Sequence, residues 1–566
     1  MNPLRRTVRP LISLAALAVA LPVLGAVAPA PAAVAETAAP GDEVIAWAEV
    51  EDGVISGGPA LNSGDHGNFS GTGSYTFREA GMTSAMTVTA PEAGTYPIYI
   101  RYAAGPLSAE ENVTRSMGLL TNGGDRQILD YPMTSFQDWE DWDFVAGEVT
   151  LEEGENTVAV NCERSLPTET CRLNFDAIQV GGTAPDPCLA TPVKPGYRGL
   201  FDGTFESFDG WRKAGSGGFG RQTDCTIRTI RGRGATWFTE QQSAPYTLEL
   251  DWRRNDSNDD SAVYLASNGR PGNTNGQPES GYKIPIGDST GAVMTPGGAQ
   301  QAADAAALTA ALRPVGEWNR YAIRLTGTEL SVYLNGTLVN TVERDGSGPV
   351  AGFIGLENRS QVDTIDFKDI QIADVTTSTT SLSVSSAKIP VKKGTATVDV
   401  TVESEGATPT GDVELYDGDT LLTTVELVDG AASVEVGPFG AVGRRTLSAH
   451  YLGSLITEPS TSSAATVTVA KAATKLKTRV KPKRIVAKKT RAALTVAVSA
   501  PGLTPTGKVR VKVGGKTYNK ALRGGKATIK LKRFAKAGKA RATVTYLGSA
   551  LTTKASGKVV LKVVKK

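Results

Sequence analysis

Residues 246–254 read YTLELDWRR, and this stretch decides the fold class. Leu248, Leu250 and Trp252 occupy every second position, with charged residues between and after them. Successive side chains of an extended strand point to opposite faces, so the apolar residues share a core face and the charged ones a wet face. That wet face is either a concave binding groove or an ordinary solvated surface.

Similar short runs follow one another along the chain, among them YPIYIRY, NTVAV and ELSVYLNG, separated by clusters of Gly, Asn, Asp and Pro. Helical periodicity is scarce, and QAADAAALTAAL at 301–312 is the stretch that looks helical. We therefore predict an all-β, multidomain protein made of β-sandwiches.

Composition and an internal repeat set the domain boundaries. GGTAPDPC at 181–188 and ADVTTSTTSLSV at 373–384 read as linkers. TPTGDVELYDG at 408 recurs as TPTGKVRVKVGG at 504. The distance along the chain between these two copies is the length of one immunoglobulin-like sandwich. The predicted domains are residues 43–182, 187–375, 376–470 and 471–566.

The N-terminal residues predict export. MNPLRRTVRP is followed by the apolar run LISLAALAVALPVLGAVA and by small residues ending in AVA, so residues 1–35 read as a secretory signal peptide. The Arg5–Arg6 pair lacks the surrounding twin-arginine pattern, which leaves the Sec or Tat route open. No later segment reaches 18 apolar residues, so we expect a secreted, extracellular protein with no membrane span.

The four cysteines predict disulfides, because an even count in an exported chain favours them. The simplest pairing joins Cys162 to Cys171 and Cys188 to Cys225. A metal or reactive thiol site is the alternative, but no C-x-x-C spacing exists and the chain has only 2 histidines. The same scarcity argues against a Ser-His-Asp hydrolase and a His-ligated zinc enzyme.

The formal net charge of +2 hides a polarised chain. Residues 471–566 contain 28 Lys and Arg and no Asp or Glu, which leaves 58 acids and 32 bases, a net charge of −26, on the rest. We expect the basic domain to bind polyanions with strong salt dependence.

The stretch SFQDWEDWDF at 135–144 places two Trp three residues apart between acids. Residues three apart in a strand cannot share one face, whereas Trp142 and Phe144 can enter a core together. Trp139 is then left on the other side or on the preceding loop, where it either binds a ligand or packs the loop.

The opening strand WAEVEDGVISGG carries Glu49 and Glu51 on one face, followed by Asp52. Neighbouring carboxylates repel each other unless water or a cation intervenes, and hard oxygen ligands suit Ca²⁺. An exposed acidic edge strand is the alternative.

Five motifs in order make the first domain resemble carbohydrate-binding modules of families 6 and 35. They are WAEVEDGVISGG, HGNFSGTGSY, GTYPIYIRYAAG, DWEDWDFVAGEVTLEEGENTVAV and LNFDAIQV. The resemblance implies a jelly-roll β-sandwich with a structural Ca²⁺, held by the acidic opening strand and the closing-strand Asp. Those ligands correspond to Glu49, Glu51 and Asp176 here.

The same resemblance implies a sugar cleft with two aromatic residues and an Asn. It corresponds here to Trp139 (alternatively Trp142), to Phe69 or Tyr75, and to Asn174. A pyranose has an apolar C–H face that stacks on a flat ring, and an amide can both donate to and accept from hydroxyls. Phe69 stands where these modules often have Tyr, which removes one hydroxyl.

The second domain resembles the 3-keto-disaccharide hydrolase domain, a concanavalin-like jelly roll, most clearly in GEWNRYAIRLTGTELSVYLNG and IGLEN. The resemblance implies cleavage of glycosides whose sugar is oxidised at carbon 3. The keto group acidifies the neighbouring C–H, so a base can start elimination of the glycosidic oxygen, and water then adds. This route needs a base and an electrophile for the enolate, not the paired carboxylates of ordinary glycosidases.

The second domain departs from that pattern at two motifs. GYKIPIGD has Lys283 and Pro285 in place of an acid and an amide, and GLENR ends in Arg359 in place of a His. These losses leave enzymatic activity open. The candidate catalytic residues are Arg253, Tyr282, Asp288, Glu357 and Arg359.

The last two domains resemble bacterial immunoglobulin-like spacers of surface proteins. For the basic copy the accessible polyanions are wall polymers, phospholipid surfaces or extracellular DNA. Its three aromatic residues are too few for a base-stacking reader, so we expect an anionic cell-envelope polymer, retention at the cell wall and no nucleic-acid function.

Two functions remain open for the whole chain, which we expect to be monomeric. It is either a glycan-binding protein that also hydrolyses 3-keto-disaccharides, or a non-catalytic carbohydrate-binding and adhesion protein with a degenerate hydrolase domain. We expect no organic cofactor.

Overall fold

In the computed structural model, the alternating runs of the sequence form strands that pair almost entirely antiparallel. The structure describes residues 43–565 apart from 59–60, 63–65, 109–110, 136–137, 168, 187, 231, 270–277, 279, 296–297, 299 and 347. The predicted signal peptide lies outside these residues. None of the helices they contain has the length and hydropathy to cross a bilayer.

The first domain is a sandwich of two five-stranded sheets. Their orders are β1-β10-β5-β8, with β3 beside β10, and β2-β4-β9-β6-β7. Alternate side chains of the two sheets fill the core between them. The elements are β1 Val44–Glu49, the 3₁₀ turn Val50–Asp52, β2 Val54–Ser56, β3 Tyr75–Phe77, β4 Thr83–Ala90, β5 Gly94–Ala103, β6 Thr114–Thr121, β7 Gln127–Pro132, β8 Asp143–Leu151, β9 Gly154–Asn161 and β10 Leu173–Gly181.

The second domain packs two eight-stranded sheets. One runs β13-β14-β26-β17-β22-β23-β24 with β11 beside β26, and the other β12-β15-β25-β18-β19-β20-β21 with β16 beside β25. Leu248, Leu250 and Trp252 lie in the core between them, as predicted. The elements are β11 Arg198–Phe201, α1 Phe205–Phe208, β12 Trp211–Gly215, β13 Gly218–Arg221, β14 Ile227–Ile230, β15 Gly234–Phe238, β16 Gln242–Ser243, β17 Tyr246–Arg254, β18 Ser261–Ser267, β19 Tyr282–Ile286, β20 Val293–Met294, β21 Gln300–Gln301, α2 Ala305–Ala311, β22 Asn319–Leu325, β23 Glu329–Leu334, β24 Thr337–Glu343, β25 Ala351–Asn358 and β26 Ile365–Asp374.

The last two domains repeat one topology. A three-stranded sheet β27-β29-β32 faces β28-β35-β33-β30-β31, and its counterpart β36-β38-β41 faces β37-β43-β42-β39-β40. The elements are β27 Ser378–Val384, β28 Lys388–Pro390, β29 Ala396–Ser404, β30 Asp412–Asp417, β31 Thr420–Glu426, β32 Ala431–Val436, β33 Gly443–Tyr451, β34 Ser460–Thr461, β35 Ala465–Ala470, β36 Lys475–Lys481, β37 Ile485–Val486, β38 Ala493–Ser499, β39 Lys508–Val513, β40 Lys516–Ala521, β41 Lys526–Lys530, β42 Gly538–Tyr546 and β43 Ala555–Val564.

Two further predictions are settled by the fold. Both disulfides form as paired in the sequence analysis, Cys162 with Cys171 and Cys188 with Cys225. The stretch predicted as helical, 301–312, is helical only over Ala305–Ala311, where the Asp304 side chain caps the first turn by accepting from Ala307 N at 2.8 Å. The all-β, multidomain class is confirmed.

Candidate functional site

Trp139 lies on the loop before β8, beside a cleft of about 170 Å³. The ring is half-buried, and its Nε1 donates to Pro106 O at 3.2 Å. His66 lies almost parallel to the ring at a centroid distance of 6.1 Å, and the Arg115 guanidinium lies 5.4 Å from the ring centre. The indole is thus held in one orientation while it lines an open cleft.

Asn174 on β10 lines the same cleft. Its side chain is fully buried, yet neither its Oδ1 nor its Nδ2 has a hydrogen-bond partner among the described residues. A buried amide without partners costs stability, so such a group marks a site where an external ligand supplies the missing bonds. Trp139 and Asn174, two of the predicted sugar contacts, therefore meet at one cleft.

The other predicted sugar contacts lie elsewhere. Trp142 is only 6% exposed, its Nε1 donates to Gly67 O at 2.8 Å, and it packs with Phe69 and Ile230. Tyr75 lies in the core of the first domain. Phe69 and Tyr75 are fully buried, so the assignment of either to the cleft is wrong. The Phe69 side chain packs in the interface between the two domains, and the Tyr75 side chain packs in the sandwich core.

The three predicted calcium ligands come together around the Ser70–Thr72 loop. The Ser70 hydroxyl donates to Glu49 Oε2 at 2.7 Å and lies 2.8 Å from Asp176 Oδ2. Thr72 donates from both its N–H and its hydroxyl to Glu51 Oε1. Asp176 also accepts from Arg101 Nη1 at 2.5 Å, and this ion pair is buried. The loop thus joins the opening and closing strands.

This acidic cluster fits a divalent cation by donor type. Burial, together with the charges of Asp176 and Glu51, raises the pKa of Glu49 well above its usual range, and burial raises the pKa of Glu51 to about 7. Glu51 Oε2 is buried without a hydrogen bond. Within the described residues, no group of three or more His, Cys, Asp or Glu side chains could hold a metal ion in its present arrangement. Oxygen donors that repel one another and include an unpaired atom are what Ca²⁺ neutralises.

The acidic loop is also part of the interface with the second domain. Gly71 N donates to Arg221 O at 3.1 Å, and Arg221 N donates to Phe69 O at 3.2 Å. Asn68 Nδ2 donates to Trp211 O at 2.5 Å. Main-chain hydrogen bonds of this kind fix the position of the two sandwiches relative to each other. The two domains are therefore held together by direct contacts and not by the linker alone.

Phe205 of α1 is the apolar centre of this interface. It stacks on Trp47 of the first domain at 5.4 Å. The Arg101 guanidinium lies 3.8 Å from its ring centre and that of Arg221 lies 4.1 Å away. Each guanidinium also pairs with an acid, Arg101 with Asp176 and Arg221 with Asp186 at 2.5 Å. The two cations are therefore compensated and stack on one aromatic ring.

Glu140 gives this interface a pH dependence. Burial raises its pKa to about 7, against the opposing charges of Lys213 and Arg212 of β12. Between about pH 4.5 and 7 the folded chain then binds more protons than the unfolded chain, so the free energy of unfolding falls as pH rises through this window. We expect Glu140→Gln to gain thermal stability relative to wild type as pH rises from 5 to 8, measured by calorimetry. Glu148→Gln, at an exposed position of β8, is the control, and a constant difference at all pH values would contradict the assignment.

In the second domain, Glu357 of β25 forms a polar cluster with residues of two neighbouring strands. Lys283 Nζ of β19 lies 2.7 Å from Glu357 Oε2, and the Tyr264 hydroxyl of β18 donates to Oε1 at 2.8 Å. Tyr264 stacks on Trp237 of β15 at 5.3 Å. Tyr264 and Lys283 line a cavity of about 250 Å³, which we call the Lys283 groove.

The structure separates the other predicted catalytic residues from Glu357. Arg253 lies on the opposite sheet, paired with Asp366 at 2.7 Å, so the wet face of β17 is not the groove. Arg359 pairs with Asp260 at 2.8 Å beyond the end of β25, and Asp288 is exposed in the turn after β19. The prediction of one site formed by these residues is therefore wrong, because it ignored which sheet and face each belongs to.

Tyr282 reaches the Lys283 groove from its rim, where its hydroxyl accepts from Arg344 Nε at 2.9 Å. Sequence reasoning missed the groove residues Tyr264 and Lys283, and it interpreted Lys283 only as the loss of an acid. It also missed Trp237, which is fully buried and stacks on the Tyr264 ring. Alternation in DDSAVYLAS and GYKIPIGD carries a signal for them, since Lys283 must face away from Tyr282 and Ile284. It does not say which of the two faces is the groove.

The fold is that of a modular, all-β protein whose first two domains each carry a cleft. Residues 196–373 match the model of the 3-keto-alpha-glucoside-1,2-lyase-like domain family. Residues 376–470 match that of the bacterial Ig-like domain, group 3. These matches confirm the resemblances of the second and third domains found in the sequence. A search among curated proteins found no match.

Three solved structures are similar. A protein from Parabacteroides distasonis named "Putative glycosyl hydrolase" shares 18% identity at a TM-score of 0.25, over 32% of this chain and 99% of that one. A family 35 carbohydrate binding module from Clostridium thermocellum shares 20% at 0.20, over 24% and 99%. The module CBM66 from Bacillus subtilis shares 15% at 0.23, over 29% and 96%. At these values none of them identifies a ligand or a reaction for this chain.

Proposed function

We propose that this chain is a secreted carbohydrate-active protein that binds glycan in the cleft of its first domain. The observation that carries the proposal is Asn174, a fully buried amide without hydrogen-bond partners beside the half-buried ring of Trp139. A sugar ring stacked on the indole would place its hydroxyls within reach of this amide. The test is a glycan array on the full chain, compared with Trp139→Ala and Asn174→Ala.

The second domain, in this proposal, hydrolyses 3-keto-glycosides in the Lys283 groove. Glu357 is the candidate base for the acidified C–H beside the ketone, and the Lys283 ammonium is the candidate electrophile for the enolate oxygen. Elimination then releases the glycosidic oxygen as an alcohol, and water adds to the resulting double bond. Tyr264, which donates to Glu357, orients the carboxylate.

Non-catalytic binding is the second candidate, favoured by a different feature of the same cluster. The Glu357 carboxylate is already engaged by the Lys283 ammonium at 2.7 Å and by the Tyr264 hydroxyl, so its oxygens are held by partners of the same domain. In that case both N-terminal domains hold glycan.

Release of monosaccharide from 3-keto-trehalose or 3-keto-sucrose separates the two candidates. If the domain is an enzyme, we expect Glu357→Gln to lower the rate by about 10²-fold or more, because it removes the proposed base. Arg198→Gln, on the edge strand β11 away from the groove, should keep the wild-type rate. No release by the wild-type chain, with glycan binding intact, would leave the binding function.

We propose further that Glu49, Glu51 and Asp176 hold a structural Ca²⁺. Millimolar Ca²⁺ should raise the melting temperature of the wild-type chain, because a ligand of the folded state stabilises it. Glu51→Gln should abolish the rise, whereas Glu43→Gln, exposed just before β1, should not. A rise of equal size in Glu51→Gln would place the ion elsewhere.

The basic fourth domain completes the proposal as the part that retains the secreted protein at an anionic polymer of the cell envelope. Its 28 positive charges without a single acid support this role.

A further inference from the structure

The three-stranded sheet of the fourth domain carries its positive charges in two rows. Lys475, Lys477, Arg479 and Lys481 follow one another at alternate positions of β36, and all four are exposed. Lys526 and Lys530 are exposed on the same face of β41, with Thr528 at the position between them. Alternate residues of a strand lie about 7 Å apart, so the β36 row is a regular ladder of cations, and the two lysines of the β41 row lie about 13 Å apart.

The strand between the two rows carries no charge. β38 pairs with β36 on one side and β41 on the other, and on this face it presents Ala493, Thr495, Ala497 and Ser499. These small side chains are half-buried or exposed, so the floor is accessible. Two strand spacings separate the rows by about 10 Å. We call this surface the cationic trough: the two Lys/Arg rows of β36 and β41 with β38 as floor.

The other immunoglobulin-like copy shows that the fold does not need these cations. Its sheet β27-β29-β32 has the same order and register, and the repeat offset aligns Lys475, Lys477 and Arg479 with Thr379, Ser381 and Ser383. On the central strand that copy has Asp399 and Glu403 where the trough has Thr495 and Ser499. The trough is thus a charge pattern added to a scaffold that folds without it.

The trough has no internal counter-charge. Among the described residues, none of the Lys and Arg side chains from 471 to 565 forms an ion pair with a carboxylate. Like charges at this density repel one another and disfavour the compact domain. An external anion removes that cost.

We propose that the cationic trough binds a single flexible polyanion chain lengthwise, with anionic groups of the polymer alternating between the two rows. This inference rests on the proposed retention function and assigns it to one face and one kind of polymer. A single polymer chain fits between two rows that are about 10 Å apart. A nucleic-acid duplex is wider than this spacing, so it would contact the cations of the two rows but not the floor strand β38.

A flat membrane matches the domain less well than a flexible chain. The opposite sheet is also basic, through Lys508, Arg510, Lys512, Lys539 and Arg541, and a planar bilayer can touch only one of the two faces. Tyr518 and Phe534 pack against the core and Tyr546 is fully buried, so no aromatic ring is left for bases or for insertion into lipid.

Fluorescence anisotropy with labelled linear polyphosphate and polygalacturonate, on the full chain, tests the proposal. The trough variant exchanges four residues for those of the other copy, Lys475→Thr, Lys477→Ser, Arg479→Ser and Lys526→Ala. A matched variant removes four charges from the opposite sheet, Lys508→Thr, Lys512→Thr, Lys539→Thr and Arg541→Thr. We expect at least a tenfold loss of affinity and a shallower salt dependence for the trough variant, and less than a threefold loss for the matched variant.

Every result that differs from this expectation would overturn a specific part of the proposal. Equal losses in both variants would mean diffuse attraction and would overturn the trough, while retention by a polyanion would survive. Absence of wild-type binding to either polymer would overturn retention itself. Tighter binding to phosphatidylglycerol vesicles or to a 20-base-pair duplex would overturn the single-chain ligand. None of these outcomes depends on glycan binding by the first domain.

Discussion

Trp139→Ala should abolish retention of the chain on a neutral polysaccharide affinity gel, with at least about a tenfold loss of affinity, equivalent to about 1.4 kcal/mol. The ring supplies the flat apolar surface of the cleft, and the partnerless amide of Asn174 cannot hold a sugar without it. Because Trp139 is half-buried on a loop, its loss should leave the melting temperature nearly unchanged.

Trp318→Ala is the matched control for that experiment. Trp318 is also half-buried, lies in the second domain and carries the Arg253 guanidinium 4.5 Å from its ring centre. The Trp318→Ala protein should be retained on the polysaccharide gel as strongly as the wild-type protein. Trp142→Ala, in contrast, should destabilise the chain by removing a buried ring. If a folded Trp142→Ala protein loses the glycan while Trp139→Ala keeps it, the roles of the two Trp residues are reversed.

Phe205→Ala should lower the melting temperature of the first two domains by about 6–20 °C. Truncating a buried Phe costs about 3–5 kcal/mol, and one kcal/mol shifts the midpoint of a unit of this size by about 2–4 °C. The variant also leaves the Arg101 and Arg221 guanidinium groups without the ring on which both stack. Calorimetry should show the shift, and proteases should cut the 181–188 linker faster.

Phe534→Ala is the control for the interface variant. Phe534 packs against the core of the fourth domain, so its loss should lower only the transition of that domain. An unchanged midpoint for the first two domains in Phe205→Ala would show that they fold independently of each other.

The alternation in YTLELDWRR predicted the core face of β17 correctly, because burial follows the two-residue period of a strand. It could not predict the use of the wet face. There Glu249 pairs with Lys194, Asp251 with Arg320 and Arg253 with Asp366, so the charges neutralise one another. The Lys283 groove lies on the other sheet of the domain, where strand order determines which residues become neighbours.

The sequence by itself determined the strands, the repeat and the split of charge between body and tail, because these follow from local periodicity, spacing and composition. It offered only the simplest disulfide pairing, which the structure then showed. Only the tertiary structure decided that Asn174 meets Trp139, that Glu357 meets Lys283, and that Phe205 joins two sandwiches across a linker. Each of these contacts unites residues distant in the chain through strand order and register. A one-dimensional pattern fixes the face on which a side chain lies, but not what lies opposite it.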